Sequence, residues 1–175
     1  KSIAITFDDG YEDNFTNAFT ILQKYNFKAT IYLVPNQKIN HWEEKNTSVL
    51  SNLLNNEQIL QMQNSGLIEF GSHTLSHVNL STINDEQLLN ELKKSKEEVE
   101  KITNQECEAF AYPYGKFDDN IVNSVKRVGY KNATVVKRGL FKKDDDVFTI
   151  KRVGILGTES FFDFLLKISR VRNKL

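Results

Sequence analysis

Short runs of β-branched and aromatic residues alternate along this chain with stretches whose apolar side chains recur every three or four positions. Residues 2–7 read as a strand, after which Phe15, Phe19, Leu22 and Tyr25 recur at helical spacing up to about residue 26. A second strand follows at 28–34. From Pro35 to Asn55 the periodicity gives way to polar sequence with Asn and Lys throughout, which predicts a long loop before a short helix over 57–65 that Gly66 terminates. Residues 67–72 form the third strand. The longest helix is predicted from a cap at Asn84 to about Ile102, with Leu88, Leu92, Val99 and Ile102 inward and the pairs Lys94/Glu98 and Lys96/Glu100 on a solvated outer face. A strand at 108–112, a helix at 118–128 closed by Gly129, strands at 130–136 and 147–153 and a last helix at 159–170 complete the pattern. Lys143-Asp144-Asp145-Asp146 reads as a turn, and no internal repeat is visible.

Strands that alternate with helices argue for a parallel sheet with crossover connections, as an open doubly wound sheet or as a barrel. In either case the carboxyl ends of the strands share one face, where such folds place their sites. Asp8 and Asp9 follow the first strand, His73 and His77 the third, and Tyr112-Pro113-Tyr114-Gly115 the fourth. Three separate segments therefore converge.

Composition narrows the classes of function. At 175 residues with 39% apolar content, the chain is long enough for one domain with a proper core, and a second domain is not expected. Lys plus Arg and Asp plus Glu number 23 each, so the charge balance predicts no nucleic-acid or anionic-membrane partner. The single cysteine, Cys107, excludes an internal disulfide and has no neighbouring His or cation cluster to activate it. No segment approaches the apolar length of a membrane span, and no basic then apolar leader precedes the first strand. The chain begins at Lys1 without Met, so it is expected to be a piece of a longer product, with any targeting signal in the part not represented.

The candidate chemistry lies in few residues. Only three histidines are present, and two of them stand four apart in Gly71-Ser72-His73-Thr74-Leu75-Ser76-His77. That spacing lets both imidazoles turn to one side, and two imidazoles with one carboxylate are the usual protein ligands of a catalytic zinc. Alone, His-x-x-x-His says little; the Asp-Asp pair strengthens it. Adjacent carboxylates repel and raise one pKa unless a cation neutralises one of them. A metal does so, leaving one Asp as ligand and the other as base toward a water whose pKa the ion lowers. A helix cap before Asp13 and Phe15 is the other reading of the pair.

Thr6-Phe7-Asp8-Asp9-Gly10 and His73-Thr74-Leu75-Ser76-His77 resemble the first two signature motifs of the polysaccharide deacetylase family, the NodB-homology or carbohydrate esterase family 4 domain. Tyr112-Pro113-Tyr114-Gly115 is similar to its third, and Phe-Ala-Tyr-Pro-Tyr-Gly resembles the branch that acts on poly-N-acetylglucosamine exopolysaccharides. The resemblance implies a single domain over 1–175, folded as a distorted, incomplete (β/α) barrel of mostly parallel strands with outer helices. It further implies metal-dependent hydrolysis of N-acetyl groups from an N-acetylglucosamine-containing polysaccharide, and an extracytoplasmic setting. By the same resemblance Asp8 is the catalytic base. Asp9, His73 and His77 hold the metal, Tyr114 donates its backbone N–H to the oxyanion, and Pro113 belongs to the groove-lining motif. Zinc is the expected ion; cobalt or nickel suits the same ligands.

Two departures from the family pattern stand out. The usual general acid is a histidine near the C-terminus, yet no His follows His77, and the spare His41 lies in the long loop beside Trp42. Asp8 is then expected to return its proton to the leaving nitrogen. The Arg that orients the base in many relatives is also missing from the third motif, and Arg152, at the end of the 147–153 strand, is its candidate replacement. Tyr11, Trp42, Tyr112 and Tyr114 are candidate sugar-contacting rings. The alternative function, from another class, is a non-catalytic glycan- or metal-binding module that has lost its general acid and Arg. A metal-free relative hydrolysing a small cyclic amide is a further possibility that intact Asp9, His73 and His77 oppose. Oligomeric state is not readable from the chain.

Overall fold

The structure, a computed structural model, describes residues 3–43 and 50–169. Residue 2 of the first expected strand, residues 44–49 of the long loop and residue 170 of the last helix lie outside them.

Among the described residues six strands form one sheet: β1 (Ile5–Phe7), β2 (Ala29–Leu33), β3 (Ile68–Ser72), β4 (Ala109–Ala111), β5 (Asn132–Arg138) and β6 (Ile150–Arg152). Every pairing is parallel and the spatial order is the chain order, β1-β2-β3-β4-β5-β6. A doubly wound sheet reverses direction around its first strand. Here the progression never reverses, so the sheet curls into an incomplete barrel with helices outside, as expected from the family resemblance. The helices are α1 (Thr20–Tyr25), α2 (Asn56–Asn64), α3 (Asp85–Thr103), α4 (Asp119–Val128) and α5 (Phe161–Ile168).

Local chemistry accounts for the element ends. The Asn55 and Asn84 side chains each accept a bond from the backbone N–H of the Gln three residues on, and the backbone N–H of each Asn donates to the side-chain oxygen of that Gln, making reciprocal capping boxes at α2 and α3. Asp118 caps α4, and Gly129 closes it. The main core joins Ile31, Leu33, Ile68 and Phe70 from the sheet to Met62, Leu88, Leu92, Val99, Ile121 and Val125 from the helices. A smaller cluster of Tyr32, Ala109 and Ala111 is separate from it. At Gly71 a Cβ would stand 2.6 Å from the Tyr32 ring, so glycine is what admits that ring.

Several expectations need correction. β1 starts at Ile5, because its partner β2 begins at Ala29 and leaves Ile3 nothing to pair with. Before α1 the chain makes a wide π turn over Asn14–Phe19, which rotates the following face and leaves Tyr25 exposed. β6 is shortened because Asp146 accepts from the Phe148 and Thr149 N–H groups, turning the chain where a strand was expected. The outer face of α3 is not all solvated: Lys96 is nearly buried, donating to Glu100 and to the Cys107 carbonyl beside the Tyr130 ring. Glu98 bonds Asn36 and pairs with Lys101.

Candidate active site

The two aspartates follow β1 in a tight turn that sends them to different partners. Asp9 and Gly10 both have left-handed backbones, with φ of 70° and 74°. A Cβ on Gly10 would meet Leu33 Cδ2 at 2.9 Å, which adds close approach to the conformational demand. Among the described residues seven besides glycine have positive φ; three are Asn, which tolerates it, and the others are Asp9, Thr74, His77 and Tyr114. Each costs on the order of 1–2 kcal/mol for an ordinary side chain, so the strain of this fold is concentrated at one place.

His73 and His77 leave the end of β3 and meet Asp9. The buried Asp9 Oδ1 lies 3.4 Å from His73 Nε2 and 3.2 Å from His77 Nε2. Each ring is oriented through its other nitrogen: His73 Nδ1 lies 2.7 Å from the Ala111 carbonyl and His77 Nδ1 lies 3.2 Å from the Tyr114 hydroxyl. A carbonyl only accepts, so Nδ1 of His73 carries the proton. Burial lowers the His73 pKa, more than the nearby Asp8 and Asp9 charges raise it, so the ring is neutral and its Nε2 lone pair faces the carboxylate. Two acceptors face each other there, and Asp9 Oδ1 has no hydrogen-bond partner among the described residues. A cation resolves that conflict. Ligands about 2.0–2.1 Å from a common ion at tetrahedral angles stand about 3.4 Å apart, so Asp9, His73 and His77 fit a divalent metal.

Asp8 turns the other way, to β6. Arg152 donates to both its oxygens, NH1 to Oδ1 at 2.6 Å and NH2 to Oδ2 at 2.7 Å. The same guanidinium bonds Thr6 Oγ1 and, through Nε, the Val135 carbonyl, and it lies over the Tyr32 ring. Burial acts to raise the Asp8 pKa, but the bond from Arg152, together with the charge of that guanidinium, outweighs it and holds the carboxyl below its ordinary value. Arg152 thus anchors Asp8, and it ties the last strand to the first.

Around this centre the aromatic candidates separate. Trp42, in a 3-10 turn over His41–Glu43, stacks on His77 with ring centres 4.3 Å apart, so one of its faces is already covered. Tyr114 is half exposed and meets His77 edge-on, which leaves it available to a ligand. Tyr11 shares its hydroxyl with Asn40 in the long loop, beside the bridge from Tyr11 to Leu53. Two expectations fail. Tyr112 is buried and donates to the Phe148 carbonyl, and Pro113 is equally buried at the start of the turn, so neither ring can meet a substrate. His41 lies in the turn with Trp42.

The pattern of charges concealed one residue from sequence reasoning. Glu91 of α3 accepts from the Leu75 and Ser76 N–H groups at 3.0 Å each and from the Ser76 hydroxyl at 2.8 Å, gripping the loop between the two histidines. The available signal was Ser95, a polar residue in the apolar stripe of α3, which bonds Ser72 just before His73.

Cys107 plays no part in this centre. Burial pushes its thiol up to about 12, so at pH 8 it is protonated and enclosed. Iodoacetamide at that pH is expected to leave the folded protein unmodified and to label it fully in denaturant, as read by mass spectrometry.

A sequence profile of the family described as polysaccharide deacetylase matches residues 1–133. The chain belongs to this family. Among its relatives, the poly-beta-1,6-N-acetyl-D-glucosamine N-deacetylase of Staphylococcus epidermidis is 31% identical over 175 residues, covering 95% of this chain and 58% of that protein. Of the solved structures, a polysaccharide deacetylase from Bacillus cereus matches with TM-score 0.80 and 35% identity, over 95% of this chain and 51% of that one. The Streptococcus pyogenes deacetylase PplD in complex with acetate matches with TM-score 0.80 and 27% identity, over 94% and 69% respectively. The chain spans about half the length of the curated relatives it matches. No helix among the described residues is long and apolar enough to cross a membrane.

Proposed function

We propose that this domain hydrolyses N-acetyl groups of an N-acetylglucosamine-containing polysaccharide, releasing acetate, with a divalent metal held by Asp9, His73 and His77. The observation that carries the reading is the meeting of Asp9 Oδ1 with two imidazole Nε2 atoms beside an Arg152-anchored Asp8. Zinc suits two imidazoles and one carboxylate best, and cobalt or nickel fits the same set. When bound, such an ion lowers the pKa of water and polarises the acetyl carbonyl.

The chain's own groups carry the protons and the orientation. Arg152 takes one lone pair from each Asp8 oxygen and leaves the others free, so Asp8 accepts the proton of the attacking water while its orientation stays fixed. The backbone N–H of Tyr114 is the proposed donor to the oxyanion that forms at the carbonyl. As the C–N bond breaks, acetate and an amine are released, and the amine needs a proton. Asp8 is suited to supply it, because a carboxyl held below its ordinary pKa gives up a captured proton readily. One side chain then serves as base and acid in turn. The substrate of the Staphylococcus epidermidis relative makes β-1,6-linked poly-N-acetylglucosamine the first glycan to try, in an extracytoplasmic setting.

The test is acetate release from a panel of acetylated oligosaccharides, with metal content measured on the same samples. Activity is expected on N-acetylglucosamine oligomers, to vanish with a chelator and to return on adding Zn²⁺ or Co²⁺. Full activity of the metal-free protein overturns the proposal, while tight glycan binding without acetate from the metal-replete full-length protein supports the binding-module alternative.

A further inference from the structure

We propose that Glu91 is a positioning residue for the two histidines: its carboxylate clamps the loop between them so that both Nε2 atoms meet Asp9. This rests on the metal site proposed above. The rings of His73 and His77 are turned by Ala111 and Tyr114, but those contacts act at the ring nitrogens and do not hold the backbone between them. That backbone contains left-handed residues at both Thr74 and His77, with φ of 67° and 56°, a conformation that non-glycine residues leave when nothing holds them. Glu91 uses both carboxylate oxygens on it: Oε2 receives the Leu75 and Ser76 N–H groups, and Oε1 receives the Ser76 hydroxyl. A charged acceptor makes each of these bonds stronger than a neutral one would.

The clamp has a companion on the same helix face. Ser95, one helical turn after Glu91, accepts from Ser72 Oγ at 2.8 Å and so fixes the end of β3 immediately before His73. Glu91 and Ser95 together hold the loop at its middle and its root. α3 is itself seated in the core by Leu88, Leu92 and Val99, each buried. A rigid element therefore sets where the ligands stand.

The test is Zn²⁺ affinity, by competition with a chromophoric chelator, together with the Co²⁺ absorption spectrum and the melting temperature of the metal-free protein. Glu91→Ala is expected to weaken Zn²⁺ binding about 10- to 100-fold, the range for partners that orient metal ligands. The metal-free melting temperature should move only a few degrees, because Ser76 is exposed and water can replace the lost partner. Glu91→Gln keeps an oxygen for both N–H groups and is expected to regain most of the affinity. Wild-type affinity in Glu91→Ala, or a Glu91→Gln no tighter than Glu91→Ala, overturns the proposal. Should Glu91→Ala not fold, Glu91→Asp takes its place with the same reading, since it keeps the charge but is one methylene too short for the clamp. His73→Ala separates the two ideas: if wild type binds Zn²⁺ no better than His73→Ala, the metal site itself is wrong, whatever Glu91 does.

Discussion

With Asn in place of Asp8, acetate release is expected to fall by about 10³-fold or more, with uptake of one divalent ion expected to persist. Asn cannot accept a proton from water, and loss of a positioned acid–base group generally costs about 10²–10⁴-fold. The expectation lies toward the upper part of that range because Asp8 is proposed to act in both proton transfers. The substitution also places an amide NH₂ against the Arg152 guanidinium, where both oxygens now accept, so one donor faces another. Metal uptake survives because Asp9, not Asp8, lies 3.2–3.4 Å from the histidine Nε2 atoms. Steady-state acetate kinetics with metal analysis of the same preparation checks both parts. A metal-loaded Asp8→Asn protein that keeps more than a few per cent of turnover would end the dual role.

Arg152→Ala is expected to reduce both stability and turnover. Removing one member of a buried ion pair strands the other, at about 3–5 kcal/mol. The side chains here are 17% and 29% exposed, so the lower end of that range applies. The variant also loses the bonds from β6 to Thr6 and Val135, including the link across the open side of the barrel. Its effect on stability depends on pH with a definite sign. In wild type the depressed Asp8 pKa contributes stability above the ordinary carboxyl value of 3.8, and that stability is lost as pH falls through the lower folded value. Without Arg152 the burial that acts to raise the Asp8 pKa loses its main opponent, so the ionised form gains much less from folding or is disfavoured by it. The stability gap between the two proteins should therefore widen from about pH 3 to pH 7. Thermal melts across that range test this, and a gap independent of pH would remove Asp8 from the account. Arg152→Lys should recover little of the lost turnover, because an ammonium cannot make the two parallel bonds.

Much of this was legible in the chain because it depends on local rules. The order of strands and helices follows from short β-branched runs and helical periodicity, and the Asn84 cap and the inward Leu88, Leu92 and Val99 of α3 stand where the spacing puts them. The convergence of Asp8, Asp9, His73 and His77 follows from parallel strands ending on one face. Where the reading failed, a tertiary contact had overruled a local preference. Lys96 looked like one charge among many on a solvated face, but the carbonyl of Cys107 and the ring of Tyr130 lie beside it. Along the chain Tyr112 is a candidate sugar-contacting ring and Pro113 a member of a groove-lining motif, whereas the sheet and its turn cover both.

What the amino-acid order settles here is the kind of residue at the end of each strand, and with it the chemistry the centre can perform. Periodicity, caps and motif spacing are short-range, so they are visible without a fold. Whether the sheet is doubly wound or curls into a partial barrel is decided only in three dimensions, because both arrangements have the same succession of strands and helices along the chain. The same holds for Arg152, which stands 144 residues from Asp8 and reaches it because the curl brings β6 back toward β1. It holds again for Glu91, indistinguishable along α3 from its solvated neighbours until the loop carrying two histidines is folded against it. Long-range hydrogen bonds have no periodicity to betray them, and they are what turns a set of suitable side chains into a site.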